Sequence, residues 1–67
     1  MQFDKIGTIV VHKKNKRTGF IHEIEKRGPP RQGFPPRDII HITWSNGRTG
    51  WFWQHNAHKK LAVLVEV

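Results

Sequence analysis

The chain has 67 residues, no cysteine, and twelve Lys and Arg against five Asp and Glu, for a formal net charge of +7. A domain of this size hides only about 60% of the surface its unfolded chain exposes, so its core must be thin and hydrophobic packing must hold it without disulfides or thiolate-bound zinc. This speaks against disulfide-stapled secreted scaffolds and enzymes with large pockets, and no apolar run nears the roughly 20 residues a membrane helix needs.

The N-terminal MQFDKIGTIV lacks the basic, apolar and small-residue regions of a signal peptide, so the expectation is a soluble cytoplasmic protein with no membrane partner. Residues 6–13, IGTIVVHK, have the Ile, Val and Thr of a strand, and KKNKRTG then supplies charges and a glycine before a second β-prone run, GFIHEIE. The two runs read as a hairpin with a basic tip. Residues 26–37, KRGPPRQGFPPR, contain all four prolines and exclude both helix and central strand. They are expected to form one long loop with polyproline II character at Pro29-Pro30 and Pro35-Pro36.

DIIHITW resumes the period-2 pattern, with Ile40, Ile42 and Trp44 on one face and Ile39, His41 and Thr43 on the other. Asn46-Gly47, lying between apolar alternating runs, is a strong hairpin signal, and TGWFWQ is the return strand, with Trp51 and Trp53 opposite Phe52. HNAHKK is a polar connector with room for one helical turn, and LAVLVEV is the last strand. Five short antiparallel strands with no helical period predict a single all-β domain over residues 1–67. Closing them as a small barrel, SH3-like or OB-type, removes aggregation-prone edges.

PPRDIIHITWSNGRTGWFW followed by LAVL resembles small SH3-like barrel proteins of phage and bacterial type. In those proteins a strand ends in Trp, an Asn-Gly or Asp-Gly turn follows, a second Trp comes about four residues later, and a terminal strand seals the barrel. Trp44, Asn46, Gly47, Trp51, Leu61 and Leu64 carry the likeness, which implies the fold and says little about the ligand. GTIVVHKKNKRTGFI also resembles the opening of a cold-shock domain, through Gly7, Thr8, Lys16, Gly19, Phe20 and Ile21. Val11, His12 and Thr18 stand where that family places aromatics, and the loop before Asp38 is too long for it.

Both faces of the WFW strand are apolar and a thin barrel has one inside, so Trp44 and one face of WFW are expected in the core. The other face is expected to be at least partly exposed, unless the Pro-rich loop and Phe34 cover it. Lys13, Lys14, Lys16 and Arg17 crowd one turn, and Lys26, Arg27, Arg31 and Arg37 punctuate the long loop. If these loops lie toward one side they make a single cationic rim, with Arg48, Lys59 and Lys60 adding charge elsewhere. The five histidines include an i, i+3 pair, His55 and His58, but no third ligand stands near in sequence, so no metal or other cofactor is expected. No catalytic motif is present, and Glu23 and Glu25, on one strand face, are expected to pair with Lys or Arg rather than to act as acid and base.

Two functional classes remain. One is nucleic-acid binding, DNA or RNA, with little sequence preference. Its contacts would be Lys13, Lys14, Lys16, Arg17, Arg27, Arg31, Arg37 and Arg48 on phosphates, with Trp51 or Trp53 stacking. The other is a non-catalytic protein-interaction module, of phage origin if the resemblance extends so far, whose aromatic face meets an acidic host protein. Either fits a monomer or a small homo-oligomer.

Overall fold

A computed structural model describes residues 3–27, 32–33 and 37–66. Five strands, β1 (Ile9–His12), β2 (Thr18–Glu25), β3 (Ile39–Trp44), β4 (Thr49–Trp53) and β5 (Leu61–Val65), form one antiparallel sheet in the order β4-β3-β2-β1-β5. A 3-10 helix, Gln54–Lys59, fills the polar connector. The first four strands run as a meander and β5 returns beside β1, an SH3-like arrangement and not the Greek key of an OB-type barrel. Among the described residues no ladder joins β4 to β5, so the sheet curls without closing and leaves a seam between them. Lys26, Arg27, Gln32, Gly33, Arg37 and Asp38 lie outside every strand and helix. The polyproline expectation, Arg31 and Phe34 lie outside the described residues. No helix among the described residues is long and apolar enough to cross a membrane.

β1 begins three residues later than its composition suggests. Gly7 turns through the left-handed region at φ 97°, where a side chain would be strained, although its N–H still donates to the Ile21 carbonyl at 2.7 Å. In β2, Ile21 and Ile24 are three residues apart, a spacing that simple alternation would put on opposite faces. A bulge between Ile21 and Glu23 absorbs the extra residue, so that Ile21 pairs with Ile42 and Ile24 with Ile40, both toward the core. The bulge also bends the longest strand, which lets one β2 serve β1 and β3.

The core consists of Phe3, Val10, Ile21, Ile40, Ile42, Ala57 and Leu61, with Ile24, Trp44, Phe52 and Val63 packed against it. Ala57 brings the 3-10 helix into that core, and the side-chain amide of the buried Gln54 donates to the Phe3 carbonyl at 2.8 Å. Trp44 crosses the inner face of the sheet. A Cβ at Gly19 would stand 2.8 Å from the Trp44 ring and 2.8 Å from the Thr43 carbonyl, so only glycine lets this ring lie so close to β2. The β3–β4 hairpin closes with a three-residue loop, Ser45 to Gly47. Trp44 N donates to the Arg48 carbonyl at 2.8 Å, and Gly47 adopts φ 84°, as the asparagine-glycine pair implies.

Candidate nucleic-acid interface

Antiparallel pairing decides where the charges gather. β1 ends, β2 begins, β3 ends, β4 begins and β5 begins at one end of the sheet, here called the tip end. The β1–β2 turn therefore lies at the same end as the β3–β4 turn and the start of β5. Two contacts tie these segments together: Ser45 N donates to the Thr18 carbonyl at 2.9 Å, and Lys13 N donates to the Lys60 carbonyl at 2.9 Å. The Lys13 ammonium also donates to the His58 carbonyl at 2.7 Å.

Lys13, Lys14, Lys16, Arg17, Arg48, Lys59 and Lys60 are thus assembled at the tip end, all of them exposed, and none of the turn residues around them is acidic. Asp38, Glu25 and Glu66 flank the opposite strand ends, with Glu23 in the far half of β2 and Asp4 in the segment before β1. The remaining basic residues, Lys5, Lys26, Arg27, Arg31 and Arg37, equal the acids in number, so the formal charge of +7 corresponds to the seven cations of the tip end.

One expectation is corrected by this arrangement. Among the described residues, Lys26, Arg27 and Arg37 at the two ends of the Pro-rich connection do not share a rim with the β1–β2 turn, because β2 runs the length of the sheet between them. At the far end Lys26 pairs with Asp38 at 3.1 Å and Arg27 pairs with Glu25, while Arg37 is exposed beside Asp38 in sequence. Lys59 and Lys60, expected to add charge elsewhere, instead join the β1–β2 turn. Sequence reading left them out of the candidate contacts because their position depends on β5 pairing with β1 across 49 residues, from His12 to Leu61.

The aromatic residues divide as the alternation predicts. Phe52 packs inward, in edge contact with Trp44 at 6.4 Å between ring centres, while Trp51 and Trp53 stand on the outer face. Their rings meet edge to face at 5.7 Å, and Trp53, half-buried, also leans on His55. Trp51 is 55% exposed and is the ring left open to a ligand. Phe52 also reaches the seam, so both rows of the strand contribute to it.

Two clefts adjoin Trp51. One, of about 230 Å³, is lined by His12, Asn15, Arg17, Trp44, Gly50, Trp51 and Phe52. The other, of about 360 Å³, lies toward the 3-10 helix and is lined by Trp51, Phe52, Trp53, Asn56, Lys59 and Lys60. Among the described residues β4 is also an edge strand. The bonds from Trp44 N to the Arg48 carbonyl and from Gln54 N to the Asp38 carbonyl set the phase of its ladder, in which Gly50 and Phe52 bond to β3. The N–H and C=O groups of Thr49 and Trp51 therefore point toward the free edge.

Outside β2 and β3 lies a polar network. Thr43 Oγ1 and His22 Nδ1 are hydrogen-bonded at 2.8 Å, and His41 Nε2 donates to Glu25 Oε1 at 3.1 Å. This hydrogen bond, and then that from Arg27, holds the Glu25 carboxyl below its ordinary value of 4.5. A pKa lower in the folded than in the unfolded chain means that Glu25 stabilises the fold above pH 4.5, and that this is lost as pH falls through the lower, folded value. Glu25→Gln is therefore expected to cost a little stability at neutral pH, a difference that shrinks as pH falls below 4.5 through the lower, folded value. Denaturant titrations across that range test this, and a pH-independent difference between the two proteins would contradict it. Among the described residues, no three of His, Cys, Asp and Glu gather as a metal site.

Compared with family models, curated proteins and solved structures, the chain finds no match in any of the three.

Proposed function

We propose that this protein binds nucleic acid with little sequence preference, through the tip end of its sheet. The observation that carries this reading is the coincidence of seven acid-free cations with a half-exposed indole and two aromatic clefts. Lys14, Lys16, Arg17, Arg48, Lys59 and Lys60 would contact phosphates, releasing condensed counterions, and Trp51 would stack. Lys13 would contribute charge while its ammonium braces the turn against the 3-10 helix. Arg27 and Arg37 drop out of this contact set because they lie at the other end.

A titration of labelled DNA and RNA at two salt concentrations tests the reading. The expected result is a Kd of about 1–100 μM or tighter at low salt, similar for unrelated sequences and weakening steeply as salt rises. Absence of binding at low salt would reject it.

A protein-contact role has an observation of its own. Ile9 pairs with Phe20 on one side and Val65 on the other, and all three are exposed on the outer face, where they form an apolar row without charge. Such a row suits a protein partner better than a phosphate backbone. That reading gains if the titration fails.

A further inference from the structure

The clefts beside Trp51 bear on the form of the nucleic acid. Resting on the nucleic-acid reading above, we propose that the β4 seam takes a single strand, with one base in each cleft and the Trp51 indole between them, and discriminates against duplex.

The two clefts share a composition. Each has an aromatic wall that includes Trp51 and Phe52, one asparagine side chain (Asn15 or Asn56), and at least one cation, Arg17 in the first and Lys59 with Lys60 in the second. An aromatic wall offers a stacking surface, an amide can both donate to and accept from a base edge, and a cation meets the adjoining phosphate. Asn15 already accepts from Arg17 N at 2.9 Å through its Oδ1, which fixes the amide and leaves its NH2 group to donate. The free N–H and C=O of Trp51 lie between the clefts, so main-chain hydrogen bonds can form there without sequence bias.

Duplex suits this relief poorly. Reading a major groove takes a protruding helix or two-stranded ribbon, whereas these walls are recessed, one between β4 and the β1–β2 turn and the other between β4 and the 3-10 helix. In a duplex the base faces are covered by their neighbours, so an indole can stack only on a base that has left the helix, which a single strand supplies at least cost. The cations then follow one backbone from the β1–β2 turn to the start of β5.

The test is fluorescence anisotropy with a labelled oligothymidylate of about 12 nucleotides, an RNA strand of equal length and a blunt duplex, for the wild type, Trp51→Ala and Trp51→Phe. Thermal melts check that the variants remain folded, as the exposure of Trp51 leads us to expect. The single strands should bind at least about 10-fold more tightly than duplex, and Trp51→Ala should weaken them about 5- to 100-fold, with Trp51→Phe recovering most of the affinity and duplex binding unchanged. Equal or tighter duplex binding, or single-strand affinity indifferent to Trp51→Ala, would overturn the single-strand proposal while the electrostatic reading stood. Failure of all three probes at low salt would instead bring down the nucleic-acid reading itself.

Discussion

Changing Lys14, Lys16, Lys59 and Lys60 together to Gln is expected to weaken binding of every nucleic-acid sequence alike, by about 10- to 100-fold at low salt. The salt slope should become shallower by about 0.7 to 0.9 for each phosphate that is no longer neutralised. These four sit in the β1–β2 turn and at the end of the 3-10 helix, 43 residues apart at their nearest members, Lys16 and Lys59, and only the β1–β5 ladder makes them neighbours. Lys13 is left in place because its ammonium donates to the His58 carbonyl, so that its removal would loosen the turn as well as take away charge. Lys26→Gln, Arg27→Gln and Arg37→Gln, combined in one protein, make the comparison, since they remove nearly as much charge from the opposite end. The tip-end set should bind more weakly and the far-end set should not. Equal weakening would mean that net charge alone attracts the polyanion, and that the tip end has no special part.

The second large effect concerns the fold. Trp44→Ala removes a ring wedged over Gly19 and Gly50 and touched edge-on by His12 at 5.9 Å between ring centres. The two glycines have no side chains with which to fill the gap, so the cavity cannot collapse. The cost is expected to be about 3 kcal/mol, the low end for a core aromatic because the indole is partly exposed. A chain this long has about 3 to 10 kcal/mol to lose, so the variant should melt well below the wild type or not fold cooperatively at all. A melt followed by circular dichroism decides the matter, and a shift of only a degree or two would show that the ring is not a pin of the core.

Much of the fold was legible because its signals are local. The alternation of Ile40, Ile42 and Trp44 against Ile39, His41 and Thr43, the Asn46-Gly47 turn and the opposition of Phe52 to Trp51 each follow from side chains a few residues apart. The bulge in β2 was not legible. GFIHEIE reads as a β-prone run whether or not His22 is extruded, and only the pairing of both Ile21 and Ile24 with β3 requires it. The charge polarity was hidden for a related reason. It depends on which strand ends coincide in space, and hence on β5 lying beside β1, which no local pattern states. Nor did the sequence separate Trp51 from Trp53, because both face outward and the difference is made by neighbours, His55 among them.

The outer edge of β4, unpaired among the described residues, has a consequence for the protein in company. An exposed strand edge invites a second copy to pair with it, and a short chain with apolar faces has little else to prevent continuous sheets from growing. Here Arg48 precedes that edge, and Lys59 and Lys60 line the cleft beside it, so two copies whose β4 edges met in parallel would bring like charges together. Cations beside an open edge disfavour that parallel pairing of copies. Their protection is electrostatic, and a bound polyanion that neutralised them would be the condition under which neighbouring copies can first lie side by side.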